Sequence, residues 1–128
     1  MKKWLSVMLA MFLLVGCGQQ NEVTQEAVYM NITAQEAKEI MDAQTGYIIL
    51  DTRTQEEYDE GHIPGAIVLP YDEVLEKAED ILTDKNQLIL VYCRSGRRSK
   101  LAAEDLVKLG YTNIKEFGGI LDWPYETE

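Results

Sequence analysis

The chain has 128 residues, enough for one domain, and carries 22 acidic against 12 basic residues, for a formal net charge of −10 at pH 7. A chain with this acid excess binds polyanions poorly, so the composition argues against nucleic acid as a partner. The acid excess is adequately accounted for by solubility.

The first sixteen residues have the pattern of a secretory signal. Two lysines precede an apolar run over residues 4–15, which is shorter than the about 20 residues that span a bilayer. The run ends in Leu-Val-Gly-Cys17, which resembles the lipobox of a bacterial lipoprotein, where the signal is cleaved before the cysteine and the cysteine receives lipid. We therefore predict a signal peptide at residues 1–16, and a lipidated Cys17 with a flexible tether at residues 17–27. The alternatives are an ordinary cleaved signal peptide and an uncleaved anchor.

This N-terminal pattern predicts a location at the cell membrane, lipid-anchored on the extracytoplasmic face. Loss of the two signal lysines leaves the mature chain with a net charge near −12. Attachment would therefore rest on lipid rather than on a basic patch. We expect the domain itself to be a monomer.

From residue 28 onward, strand-like and helix-like segments alternate. We predict strands at residues 28–32, 47–51, 67–69, 88–92 and 113–117. Two helices are predicted to begin at capping boxes, Thr33 with Glu36 and Thr54 with Glu57, and further helices at residues 72–82 and 100–109. The alternation predicts a single α/β domain over residues 28–128, a doubly wound parallel sheet of about five strands with helices on both faces.

The candidate chemistry lies at the end of the fourth predicted strand. Residues 88–92 are apolar without alternation, which is typical of a parallel strand buried on both faces. Cys93 follows at the carboxyl end, where open α/β sheets bind ligands. Three arginines come next, Arg94, Arg97 and Arg98. Guanidinium groups and the N–H groups of a helix start favour a thiolate and hold oxyanions, so we interpret Cys93 as a nucleophile. The alternative is an ordinary buried cysteine; with Cys17 lipidated, Cys93 has no disulfide partner.

Three ordered blocks of the sequence extend this interpretation. They are Cys-Arg-Ser-Gly-Arg-Arg at residues 93–98, an Asp-Thr-Arg, Glu-Tyr and Gly-His-Ile-Pro-Gly-Ala series within residues 51–66, and Gly-Gly-Ile-Leu-Asp-Trp at residues 118–123. In sequence and order these blocks resemble the rhodanese family of thiosulfate sulfurtransferases, over roughly residues 31–123. The resemblance implies that Cys93 takes sulfane sulfur from thiosulfate or a related anionic donor as a persulfide. A thiol or cyanide would then accept the sulfur.

The resemblance also assigns the residues around the thiol. The active-site loop that would bind the donor comprises Arg94, Ser95, Gly96, Arg97 and Arg98. We expect Arg98 to pack partly inward, and Arg94 and Arg97 to face the incoming anion. Gly118 and Gly119 are expected to allow a close backbone approach under the loop.

A second set, Asp51, Arg53, Glu57 and His62, is predicted to support the loop. The three charged residues could be catalytic, but persulfide transfer needs a thiolate and cations more than a general base, so we favour a charge-paired brace. His62 is the single histidine, and a Cys–His pair would suggest a hydrolase. Because it lies in a Pro/Gly turn, we favour a structural role. We expect no metal or other cofactor, since one histidine and one free cysteine cannot fill a zinc shell.

Two other function classes stay open at this point. A phosphatase or arsenate reductase would also use a cysteine in an anion-binding loop, but that pattern looks like C-x5-R, with an arginine six residues after the cysteine. Here Ser99 occupies that position and Arg98 comes one residue earlier. The other class is a non-catalytic thiol or redox-binding module at the cell surface.

Overall fold

The computed structural model describes residues 28–128, so the predicted signal peptide, Cys17 and the tether lie outside the described residues. Within this range a five-stranded parallel sheet has the strand order β1-β5-β4-β2-β3. The strands are β1 (Met30–Asn31), β2 (Ile48–Asp51), β3 (Ile67–Val68), β4 (Ile89–Cys93) and β5 (Ile114–Gly119). The helices are α1 (Ala34–Ala43), α2 (Gln55–Glu60), α3 (Val74–Ile81) and α4 (Arg97–Lys108), with 3₁₀ turns at Tyr71–Glu73 and Ile120–Asp122. None of the described helices is both long and apolar enough to cross a bilayer.

Both predicted capping boxes are present. Thr33 Oγ1 accepts the Glu36 N–H at 3.0 Å, and Glu36 Oε1 accepts the Thr33 N–H at 2.9 Å. Thr54 and Glu57 make the same reciprocal pair at the start of α2. These bonds satisfy N–H groups that a helix start otherwise leaves unpaired, which explains why α1 and α2 begin where the local sequence predicts.

The sheet is buried on both faces, which confirms the predicted doubly wound architecture. Residues of β4 alternate between two apolar clusters: Ile89 and Val91 pack with α3 and α4, while Leu90 and Tyr92 pack with α1 and the α2 side. All five residues of β4 are buried. Full burial of one such apolar side chain stabilises the fold by about 1.5–3 kcal/mol, so β4 forms the rigid centre from which the site extends.

Most element boundaries differ from the sequence prediction by one or more residues, and two of these differences bear on the candidate site. Helix α4 begins at Arg97, not after Ser99, because Gly96 takes a left-handed conformation (φ 109°) that turns the chain directly into the helix. Strand β5 continues to Gly119, past the predicted end at Phe117, because Gly119 still pairs with Cys93 of β4. Arg97 and Arg98 therefore belong to the first turn of α4, and the loop proper is only three residues long.

Candidate active site

The sulfur of Cys93 lies under a tight turn at the carboxyl end of the central strand. Cys93 is fully buried and is a free thiol. The backbone N–H of Gly96 donates to Cys93 Sγ at 3.0 Å, and the Ser99 hydroxyl oxygen lies 3.3 Å from the same sulfur. A sulfur that accepts a backbone N–H from the turn is in the setting that a nucleophilic cysteine requires.

The turn is this tight because β5 carries no side chain beneath it. A Cβ atom on Gly119 would lie only 2.0 Å from the carbonyl oxygen of Arg94 and 2.6 Å from Ser95 Cα. The same carbonyl oxygen accepts the N–H of Leu121 at 3.2 Å. The close approach predicted for the glycine pair is thus confirmed, and Gly119 is the member that provides it.

The three arginines have different environments. Arg94 and Arg97 are exposed, and the Arg97 guanidinium lies 5.8 Å from the centre of the Tyr71 ring. Within residues 28–128, neither forms an ion pair with an acid. Arg98 is only 20% exposed and makes a bidentate pair with Glu57, at 2.7 and 3.0 Å. Arg98 thus packs partly inward, and Arg94 and Arg97 are exposed; that the latter two face an incoming anion stays a prediction.

The Glu57–Arg98 pair joins α2 to the start of α4. The hydrogen bonds from Arg98, aided by those from Thr54, lower the pKa of Glu57 from its ordinary 4.5 to about 2. The same bond to Glu57 raises the pKa of Arg98, with a smaller contribution from the nearby Cys93. Glu57 thus has two tasks, as cap of α2 and as anchor of Arg98, and only the first is visible in its local sequence.

Asp51 and Arg53 form a second, fully internal brace. Arg53 binds both carboxylate oxygens of Asp51 and also donates to the Gly61 carbonyl at 2.7 Å. Asp51 Oδ2 in turn accepts the Tyr92 hydroxyl at 2.7 Å, and burial raises the pKa of that phenol. The Tyr92 oxygen accepts the Ile63 N–H at 3.1 Å. Of the three residues expected to form a charge-paired brace, Asp51 and Arg53 pair with each other and tie β2, β4 and the turn before β3 together, whereas Glu57 pairs with Arg98.

His62 does not join the thiol. Its ring stacks on Tyr58 with 3.8 Å between centroids, Nδ1 lies 2.9 Å from the Tyr58 carbonyl oxygen, and Nε2 lies 3.3 Å from Glu128 Oε2. Two backbone bonds, His62 to Glu128 and back, complete the contact. These contacts fit the structural interpretation of His62. Among residues 28–128, no group of three or more His, Cys, Asp or Glu side chains is placed to bind a metal ion.

Sequence reasoning missed two residues of the site: Ser99, which contacts the sulfur, and Glu116, which contacts Ser99. Glu116 is 2% exposed, and its Oε2 lies 2.5 Å from Ser99 Oγ. One signal was available: strand alternation puts Glu116 on the same face of β5 as the buried Ile114, so an acid occupies an apolar position. Burial of an acid costs free energy unless the acid is hydrogen-bonded, so an acid at such a position indicates a specific polar partner in the interior.

Comparison with known proteins identifies the fold and its relatives. The sequence pattern described as "Rhodanese-like domain" matches residues 33–125. The thiosulfate sulfurtransferase PspE of Escherichia coli is 41% identical over 73 residues, covering 57% of this chain and 70% of PspE. A solved structure described as a rhodanese with anions from E. coli superposes with a TM-score of 0.60 at 36% identity, covering 64% of this chain and 96% of that one. Other relatives are longer: the chain spans 21% of the adenylyltransferase and sulfurtransferase UBA4 of Meyerozyma guilliermondii, which is 36% identical over 89 residues.

Proposed function

The chain belongs to the rhodanese-like family, and we propose that it transfers sulfane sulfur from thiosulfate, or a similar small anion, to a thiol or cyanide through a Cys93 persulfide. One observation carries the proposal: the Cys93 sulfur accepts a backbone N–H at 3.0 Å in a turn flanked by two exposed arginines. This combination supplies a nucleophile and a binding site for an anion at the same place.

In the first half-reaction the Cys93 thiolate attacks the outer sulfur of thiosulfate. A new S–S bond forms to Sγ while the S–S bond of thiosulfate breaks, and its electron pair leaves with sulfite. In the second half, an acceptor thiolate attacks the outer sulfur of the persulfide, and Cys93 departs as a thiolate. Cyanide as acceptor would give thiocyanate by the same displacement.

The burial of Cys93 sets the kind of donor. Because the sulfur is fully buried beneath the turn, a donor has to present a slender terminal atom to it. Thiosulfate has such an atom on one side and negatively charged oxygens on the other. In this proposal Arg94 and Arg97, which are exposed beside the turn, neutralise those oxygens, while Arg98, held by Glu57, adds positive potential from inside.

The same geometry argues against phosphoryl chemistry. The arginine closest to the position that such enzymes require is Arg98, and both of its outer nitrogens are bound to Glu57. A tetrahedral phosphate would find only the remaining N–H groups of Arg98, whose charge Glu57 already neutralises. The loop between β4 and α4 therefore favours sulfur transfer over phosphate transfer.

For location, we propose that Cys17 anchors the protein by lipid on the extracytoplasmic face of a bacterial membrane, with the domain as a monomer. The support is the charged and apolar pattern of residues 1–16 followed by the cysteine. Labelled palmitate should be incorporated by the native chain and not by Cys17→Ala. Equal labelling of the two would contradict the anchor.

The test of the reaction is mass spectrometry of the purified chain after exposure to thiosulfate. One added sulfur atom should appear on the peptide that contains Cys93, and cyanide should remove it. Cys93→Ser, in which a smaller oxygen replaces the sulfur on an otherwise identical side chain, is the matched control. If thiosulfate left Cys93 unmodified while other sulfane donors also failed, the proposed transfer would be wrong.

A further inference from the structure

The site contains a buried acid that the reaction above does not use. Glu116 lies on β5 with 2% of its side chain exposed. Its Oε2 accepts the Gly118 N–H at 2.9 Å and lies 2.5 Å from the Ser99 hydroxyl oxygen, while Oε1 is 3.6 Å from Lys100 Nζ. A carboxylate in this setting is held by three polar groups, one of which contacts the reactive sulfur.

Ser99 has one hydrogen to give, and the distances decide where it goes. Its oxygen is 2.5 Å from Glu116 Oε2, 3.1 Å from the Gly96 carbonyl oxygen and 3.4 Å from that of Gly118. The shortest contact is to the only charged acceptor of the three, so the hydroxyl donates to Glu116. The lone pairs of the same oxygen then face Cys93 Sγ at 3.3 Å and can accept the thiol proton.

We propose that Glu116 is the proton acceptor that generates the Cys93 thiolate, acting through the Ser99 hydroxyl. The inference rests on the proposed function, since sulfur transfer is what requires the thiolate. In the step, the Cys93 S–H bond breaks and its proton passes to Ser99 Oγ, while the original hydroxyl proton passes to Glu116 Oε2. Sulfur gains the negative charge that the carboxylate loses, and no other reactant is needed.

This exchange has a physical advantage over release of the proton to water. An ionised Glu116 next to a thiolate would place two negative charges in one buried site, which disfavours ionisation of the sulfur. Moving the proton from Cys93 through Ser99 to Glu116 keeps a single negative charge in the site. Ser99 stays hydrogen-bonded whether that charge is on the carboxylate or on the sulfur. Ser99 donates to the carboxylate before the exchange and to the thiolate after it.

The charged groups around the Cys93–Ser99–Glu116 relay determine whether the negative charge lies on the sulfur or on the carboxylate. Lys100 on α4 favours charge on Glu116, while the Gly96 N–H and Arg98 favour charge on Cys93. Tyr29, just before β1, also lies near: burial, and then the charges of Glu104 and Glu116, raise the pKa of its phenol. If Cys93 and Glu116 share one proton as proposed, there is a range of pH in which that proton stays within the pair and the fraction of thiolate does not change.

The pH profile of Cys93 alkylation tests the relay. The full-length chain is treated with iodoacetamide, which is uncharged, at several pH values, and the rate is read from the Cys93 peptide by mass spectrometry. For the native chain, the plot of alkylation rate against pH should have a shoulder at its acidic end, where the rate does not change with pH. In Glu116→Gln and in Ser99→Ala the shoulder should vanish, with the rate falling roughly tenfold for each pH unit. Ser99→Thr keeps a hydroxyl and should keep the shoulder.

If Glu116 and Ser99 had only a structural role, their substitution would change the alkylation rate by the same factor at every pH. The shape of the pH profile would then be unaltered, and this result would overturn the proposal. Glu39→Gln, which removes the same charge from an exposed position on α1, is the matched control. If Glu116→Gln does not fold, Ser99→Ala interrupts the same hydrogen-bonded path between Cys93 and Glu116, and its pH profile decides the question alone. Alkylation needs no sulfur donor, so a native shoulder without sulfur transfer would refute the function and leave the relay intact.

Discussion

Replacement of Gly119 by alanine tests whether the close contact between β5 and the loop is needed to hold the sulfur in place. The new Cβ would lie 2.0 Å from the Arg94 carbonyl oxygen and 2.3 Å from its carbon, whereas separations under 3.0 Å essentially never occur for real Cβ atoms. The loop or the strand must therefore move by about 1 Å. A displacement of about 1 Å at a reacting centre can cost on the order of 100-fold in rate, and overpacking costs about 1–3 kcal/mol of stability.

The assay is kcat/KM for thiosulfate and cyanide, with circular dichroism to confirm that the variant is folded. Gly119 has an extended backbone (φ −128°), so any loss comes from the clash and not from backbone strain. Gly65→Ala is the matched control: Gly65 has φ 86°, where alanine is strained, but nothing lies within 4 Å of the new Cβ. It should cost stability and keep kcat/KM. If Gly119→Ala retained kcat/KM within about twofold, our account of the loop would be wrong.

Three further predictions follow from the site. Cys93→Ser should stay folded and form no persulfide with thiosulfate; sulfur transfer at the native rate would refute a Cys93 mechanism. Arg97→Glu should lower kcat/KM for thiosulfate by about tenfold and more than Arg97→Ala, because it repels the anion within the roughly 8 Å reach of charges at physiological salt, whereas Lys108→Glu at the far end of α4 should have little effect. Glu57→Gln keeps the cap of α2 but removes the charge. Because the pKa of Glu57 is lowered to about 2, its charge stabilises the native chain fully above pH 4.5, and this contribution is lost as pH falls toward 2. Denaturant titrations should show that the native chain loses roughly 1–2 kcal/mol more stability over this range than the variant does, a figure discounted for the quarter exposure of Glu57.

Much of the fold could be predicted from local sequence because its signals are local. A capping box requires two residues three positions apart, and both boxes are present as predicted. The unbroken apolar run before Cys93 likewise follows from its own composition, since a strand with helices on both faces needs apolar residues on both. The predicted end of β5 was two residues short because glycine has little strand propensity, and Gly118–Gly119 stay in the sheet only through pairing with β4.

The site was harder to predict because its contacts join residues far apart in sequence. Glu57 reaches Arg98 and Tyr92 reaches Asp51, each 41 positions away. Whether an acid belongs to a cap, to a surface or to a distant arginine depends on which helix starts face each other. The local pattern does not contain that information, so the sequence placed Glu57 in a supporting set without identifying Arg98 as its partner.

Strand order explains how these residues come together. Alternation of strands and helices predicts a parallel sheet, but many orders satisfy it. In the observed order β4 lies between β5 and β2, so the carboxyl ends of three neighbouring strands present Gly119, Cys93 and Asp51 side by side. The strand on one side supplies the glycine that lets the loop close and the acid that contacts Ser99. The strand on the other supplies the ion pair that fixes the turn before β3. The reactivity we assign to Cys93 therefore depends on both neighbours of β4, and a change in either should alter the thiol without touching its own loop.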